Sequence, residues 1–298
     1  MMKKISFSLL ILCFLLLGCG KSESQETEIS AAPDPDKEET ETPVVKDPDD
    51  ADYWDDAELV WSDEFDGSSV SADNWIFEDR ATGWVNDELQ NYQPEGNTEI
   101  GEGTLKIIAK KNEDNTIEGA FTSARMNSVQ SFKYGRMEIR AKMPEHKGNG
   151  LWPALWMLGS NIETAGWPAC GEIDMMEYVS FKPNKTHFSL HSTANNHTNG
   201  TEITSGAVDL ETIEEEFHNY GMLWSSKYIK FYIDDIDNIA FTFRRPVTYN
   251  IDSWPFQNNF YFIMNVAVGG NWGGLEGVDT SIFPAIMEVD YVRVYQVK

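Results

Sequence analysis

Between Gly171 and Val179 the chain reads GEIDMMEYV, three carboxylates among apolar residues, with Glu172 and Asp174 two positions apart and Glu177 three further on. Side chains of a β-strand alternate between its faces, so Glu172 and Asp174 share a face while Glu177 falls on the other. One extra residue at Met175 and Met176, a β-bulge, would return Glu177 to the face of its partners, and bulges are frequent beside active sites because they re-aim a side chain. The pattern alone leaves two readings open: a solvated strand edge carrying three charges, or three carboxyl groups converging in a cleft. In the second, mutual repulsion holds one carboxyl protonated beside an ionised one, giving an acid and a base from one residue type. Two carboxyls about 5 to 5.5 Å apart suit glycoside cleavage with retention, in which one attacks the anomeric carbon while the other protonates the leaving oxygen and then activates water. Asp174, between them, would hydrogen-bond the nucleophile and adjust its proton affinity.

The neighbouring residues suit a sugar. GNGLWPALWMLGS places Trp152 and Trp156 four apart, on one face of an extended segment, and TAGWPACGEID adds Trp167. Pyranose rings present apolar C–H faces that stack on indole. A single Trp is more often a core residue, but three beside the carboxylates, interrupted by Gly and Pro, read as sugar platforms. Cys170 adjoins the same stretch; without a base motif it reads as a small buried residue rather than a thiol nucleophile.

The elements that must hold these residues are strands. TLKIIAK (104–110), YGRMEIRAKM (134–143), THFSLHS (186–192), YIKFYID (228–234), NFYFIMNVAV (259–268) and MEVDYVRVYQ (287–296) alternate or run apolar with β-branched and aromatic residues. Only VDLETIEEEF (208–217) suggests a short helix. Many short strands with turn clusters between them imply an all-β, antiparallel sandwich or barrel. In 134–143, Arg136, Glu138, Arg140 and Lys142 share a wet face opposite Met137, Ile139, Ala141 and Met143. FYFIMNVAV is apolar on both faces except at Asn265, which therefore needs a buried partner or a ligand.

The chain has 298 residues and 10 Trp, 11 Tyr and 16 Phe, more aromatics than a core usually needs. Its first 20 residues carry a short basic start and an apolar run too short to span a membrane, ending in LLGC. That ending resembles the bacterial lipoprotein signal, with residues 1–18 removed and Cys19 bearing the lipid. Cys13 leaves with the signal and Cys19 is consumed by lipidation, so Cys170 has no disulfide partner. From Lys21 to Glu58 there are 15 Asp and Glu against 3 Lys, a net of −12 out of −26 for the chain. Such a segment buries too little to fold, so 19–52 reads as a disordered, self-repelling tether and 53–298 as one domain. The domain is itself acidic and has no Lys/Arg cluster, which argues against nucleic acid as a partner. Contact with a membrane is expected only through the lipid, on a monomeric protein at the outer membrane or cell surface.

GEIDMMEY resembles the bulge-containing E-x-D-x-x-E signature of glycoside hydrolase family 16. LVWSDEFDG, GWVNDELQNY, SARMNSVQSFKYGRMEIRAKMP, GLWPALWMLG, FHNYGMLWSSKYIKFYIDD, NVAVGGNWGG and VDYVRVYQ are similar, in order, to bacterial laminarinases of that family. The resemblance covers about Tyr53 to Lys298. It implies a concanavalin A-like jelly roll with a substrate cleft along its concave sheet, and endo-hydrolysis of β-1,3-glucan by double displacement. Glu172 would then be the nucleophile, Asp174 its helper and Glu177 the acid/base. Asn86, Arg125, Trp152, Trp156 and Trp167 would line the glycone subsites, His191 would reach the catalytic face, and Trp272 would lie at the cleft rim. No cofactor is implied for catalysis. The resemblance also implies a structural calcium ion held by Glu64 and Asp290, whose hard oxygens suit it. Mixed-linkage β-1,3-1,4-glucan and galactans such as agarose are rival substrates. A non-catalytic glycan-binding lipoprotein is a rival function, but it would not need both glutamates.

Overall fold

A computed structural model describes residues 46–113 and 119–298. The signal peptide, Cys19 and most of the tether lie outside the described residues. Two sheets make the fold. One runs Ile239–Arg244, Tyr228–Ile233, His218–Trp224, Gly135–Lys142, Ala285–Gln296, Thr104–Lys111, Phe121–Ser123, Gln90–Tyr92, with Glu58–Asp63 and Thr98–Gly101 added at its middle. The other runs Ile203–Thr204, Lys185–His191, Glu172–Glu177, Leu151–Gly159, Phe260–Val268, Arg125–Phe132, Trp75–Phe77, with Val208–Asp209 added beside Lys185–His191. Pairing is antiparallel except between Gln90–Tyr92 and Phe121–Ser123, which are parallel. No helix among the described residues is long and apolar enough to cross a membrane.

The expected alternation explains how the two layers meet. Met137, Ile139 and Ala141 are fully buried, while Arg140 and Lys142 on the outer face pair with Asp290 and Glu288. From the opposite sheet Leu155, Met157, Ile173, Phe188, Leu190, Met264 and Val266 enter the same core. Phe260–Val268 is covered on both faces along nearly its whole length. Phe260, Phe262, Met264, Val266 and Val268 enter the core between the sheets, while the strand pairs along its edges with Leu151–Gly159 and Arg125–Phe132.

Two expectations are corrected. Residues 208–217 form no helix: Val208–Asp209 pairs with Lys185 and Thr186, and the chain then turns, with Glu215 N–H donating to the Thr212 carbonyl at 2.9 Å. Strand pairing at Val208 wins over local helix propensity. Residues 46–52, at the end of the expected tether, lie on the domain: Asp47 and Asp49 pair with Lys227, Asp49 also pairs with Arg244, and Tyr228 Oη donates to the Pro48 carbonyl at 2.6 Å. The acidic composition that excludes a core here also makes these residues ligands for basic groups on the sheet edge.

Candidate active site

The strand Glu172–Glu177 carries the expected bulge. Against Leu151–Gly159, Asp174 faces Trp156 and Met176 faces Leu155, so Met175 has no opposite number; the register against Lys185–His191 slips over the same residues. Ile173, Met175 and Met176 all enter the core with no exposed surface. Glu172, Asp174 and Glu177 all line one recess of about 410 Å³ on the other face of the sheet. Gly171, just before the strand, sits at φ +83°, and a Cβ there would come within 2.8 Å of Phe260 and Pro255. Only glycine lets the chain enter the strand at this point.

Glu172 and Glu177 each have their own donor. Trp167 Nε1–H donates to Glu172 Oε2 at 2.9 Å, and Trp152 Nε1–H donates to Glu177 Oε1 at 3.1 Å. His191 Nε2 stands 3.7 Å from Glu172 Oε1 and 3.2 Å from Asp174 Oδ2. Asp174 is 3% exposed, and its Oδ2 makes no well-directed hydrogen bond. Burial, reinforced by the Asp174 charge, pushes Glu172 up to about 8, while His191 and the Trp167 hydrogen bond oppose the rise. Burial and Asp174 push Glu177 up to about 8 as well, against His191, Trp152 and Ser189. Burial alone raises Asp174 well above the usual carboxylate range. Three carboxyls that resist ionisation in one recess share fewer charges than groups, and a proton held on Asp174 lets its neighbour remain an anion.

The recess extends across the sheet away from the carboxylates, over Leu151–Gly159 and Phe260–Val268 to Arg125. Asn86, Arg125, Trp152, Trp156 and Trp167 line it. Their roles are more specific than a row of platforms. Arg125 lies between two indoles, its guanidinium carbon 4.9 Å from the Trp84 ring and 4.7 Å from the Trp156 ring. Trp156 Nε1–H donates to Asn265 Oδ1 at 2.8 Å, and Asn265 donates in turn to Tyr92 Oη at 3.1 Å, which answers the need of that buried amide for partners. Trp167 alone of the three is substantially exposed, at 37%. Two residues stand outside the recess wall. His191 reaches Glu172 and Asp174 through Nε2 and neighbours the rings of Trp167 and His197, and Trp272 packs edge-on against Trp152 at 5.4 Å and against His187 at 4.9 Å.

Other wall residues escaped the sequence reading. Trp84 and Glu88 come from the loop before Gln90–Tyr92 and His197 from the three-residue 3-10 helix His197–Asn199, segments whose place in space has no periodic signal. Glu88 is buried and accepts from Asn86, Gln90 and Tyr92, and His197 lies over the Trp167 ring at 5.0 Å. Alternation did offer a signal for Tyr261, which stands four residues before Asn265 on the same face of its strand. Cys170 is a core residue. Burial raises its thiol to about 12, so it is no nucleophile at neutral pH.

The calcium ligands do not fit as arranged. Glu64 forms a two-point ion pair with Arg293, at 3.0 and 2.7 Å, and Asp290 is paired with Arg140. Each carboxylate is already compensated by a guanidinium, which also repels a divalent cation. Among the described residues neither belongs to a group of three or more His, Cys, Asp or Glu ligands.

The family model described as Glycosyl hydrolases family 16 matches residues 85–292. A beta-glucanase of Rhodothermus marinus is 42% identical over 258 residues, 83% of this chain and 87% of the relative. A glucan endo-1,3-beta-glucosidase of Cryptopygus antarcticus is 36% identical over 249 residues, 79% of this chain and 90% of the relative. The solved laminarinase from Flavobacterium sp. UMI-01 superposes with a TM-score of 0.72 at 40% identity, covering 80% of this chain and 100% of that one. The match spans both sheets and the carboxylate strand, and the chain belongs to the glycosyl hydrolases family 16.

Proposed function

We propose that this chain is an endo-hydrolase of β-1,3-glucan that acts with retention of anomeric configuration. The observation that carries the reading is the bulge at Met175, which turns Glu177 to the face of Glu172 with a separate indole N–H on each. The substrate class is supported by the relatives named glucan endo-1,3-beta-glucosidase and laminarinase.

Glu177, protonated at neutral pH, gives its proton to the glycosidic oxygen as Glu172 attacks the anomeric carbon. The C–O bond to the departing chain breaks, and a glycosyl ester forms on Glu172. Glu177, now ionised, takes a proton from water, whose oxygen attacks the same carbon from the vacated side and releases Glu172. The Trp167 N–H stabilises the charge on Glu172 before attack and when the carboxylate leaves. Both displacements invert, so the product retains the β configuration. Proton NMR of the first products from laminarin should show the β-anomer before mutarotation; initial α-anomer would refute the mechanism. Lichenan and agarose assayed in parallel distinguish the rival substrates, and faster cleavage of either would displace β-1,3-glucan. The basic start, apolar run and LLGC of the first 20 residues support export and lipidation at Cys19, and a Cys19→Ala chain should then be released from the membrane fraction.

A further inference from the structure

Glu172, Asp174 and His191 each offer an atom to a group whose members all lie within 4.8 Å of one another, the one such group of three or more His, Cys, Asp or Glu ligands among the described residues. The two edges that meet at His191 have the size of a metal's coordination sphere. Bonds of about 2.0 to 2.1 Å to a tetrahedral zinc ion place neighbouring ligand atoms ~3.3 Å apart. His191 Nε2 is 3.2 Å from Asp174 Oδ2 and 3.7 Å from Glu172 Oε1. Asp174 Oδ2 is buried, lacks a well-directed hydrogen bond and faces into the group. His191 is itself 6% exposed, so little side-chain entropy is left for a cation to freeze out.

The geometry points to an inhibitory site for a borderline-soft divalent cation, zinc above all, formed by His191 Nε2, an Asp174 oxygen and a Glu172 oxygen, with water in the fourth position. Two carboxylates and an imidazole match zinc or cobalt, whereas magnesium and calcium prefer oxygen alone and more ligands than this corner supplies. A double positive charge compensates anions that burial penalises. The cation ties up the carboxylate oxygen that must attack the anomeric carbon, so occupancy stops turnover without any change of fold. It also occupies the corner where the scissile sugar docks, so glucan and cation compete. Glu177 is outside the ligand set. Hydrolysis is thereby linked to free zinc, and chelation restores it.

The test is calorimetric titration of the full chain with ZnCl2 at neutral pH, with Co2+ absorption as a second readout. One zinc per chain should bind, Co2+ should show the intense visible bands of a four-coordinate site, and Mg2+ and Ca2+ should give no heat at the same concentration. His191→Gln should weaken zinc binding at least about tenfold, while Glu177→Gln and the exposed His146→Ala should bind as the unmodified chain does. In the unmodified chain a saturating laminarin oligosaccharide should weaken zinc binding, and EDTA should restore activity lost to zinc. No binding at millimolar zinc, binding unaffected by His191→Gln, or binding indifferent to the oligosaccharide would each overturn the site. The competition arm needs no variant, so it stands even if His191→Gln fails to fold.

Discussion

At the scale of the residue, the carboxylates of the recess are stored in a state that opposes folding at high pH. The Glu177 carboxyl has an ordinary value of 4.5 and is pushed up to about 8 in the folded chain. Between those values the unfolded chain has released this proton and the folded chain still holds it. The folded state binds more protons, so stability is fully present below pH ~4.5 and is lost as pH rises through ~8. Gln at this position carries no proton to lose. Glu177→Gln should therefore unfold at nearly the same temperature as the parent at pH 5 and above it at pH 8.5. One pKa unit corresponds to about 1.4 kcal/mol, and the full shift is not additive with its coupled neighbours, so a gain of about 2 kcal/mol, or roughly 5 °C in Tm, is the expected scale. Thermal melts across that pH range decide it; a gap that widens toward acid pH would mean that the Glu177 carboxylate stabilises the fold. On the proposed mechanism the same variant should lose activity by about 10³-fold or more, an exchange of stability for function.

At the scale of the element, parity governs the site. Glu172 and Glu177 are five positions apart, an odd number, and a regular strand would send them to opposite faces. Met175, the residue with no partner on Leu151–Gly159, restores the match. Deleting Met175 makes the spacing even without a bulge, so Glu177 should stay on the recess face; the fold loses a fully buried Met at a cost of about 2 to 4 kcal/mol. Inserting one Ala after Met176 instead sends Glu177 toward the core. The deletion should retain measurable hydrolysis and the insertion should fall to the level of Glu177→Gln. A folded deletion variant as inactive as Glu177→Gln would show that the bulge sets the carboxylate's aim as well as its face. The bulge was legible because it breaks a count. The long strands were legible because they repeat with period two. Trp75–Phe77, Gln90–Tyr92 and Phe121–Ser123 were not, since three residues are too few to show a period. The helix expected at 208–217 failed for a related reason: ETIEEE has local helix propensity, but the buried Glu214 instead accepts from the Asn184 N–H at 3.1 Å and holds the turn to a neighbouring loop. Trp84 was missed because a contact with Arg125 forty-one positions later leaves no mark on the local sequence.

At the scale of the whole molecule, the question is what the residues before the first long strand contribute. Lys46 pairs with Asp52 and Asp56 at 2.9 and 2.6 Å, and Asp47 and Asp49 reach Lys227 and Arg244 across the sheet edge. These groups are largely exposed, and exposed pairs of this kind contribute little and fade with salt. Trp54 is different. Its ring packs with Ile236 on Leu223, Tyr228 and Tyr232, and its Nε1–H donates to Tyr228 Oη at 3.0 Å. Removing an indole from such a contact costs about 2 kcal/mol by buried apolar area. A chain beginning at residue 46 should therefore melt close to the full-length protein, and one beginning at residue 58 should melt several degrees lower. Burial of apolar surface is not screened, so most of that difference should survive in 1 M NaCl. A difference that disappears in high salt would assign the attachment to the Asp47 and Asp49 pairs instead. In both truncated chains the recess is untouched, so kcat on laminarin at 25 °C should be unchanged; a fall in the shorter chain alone would mean that the N-terminal segment supports the site through the sheet it covers.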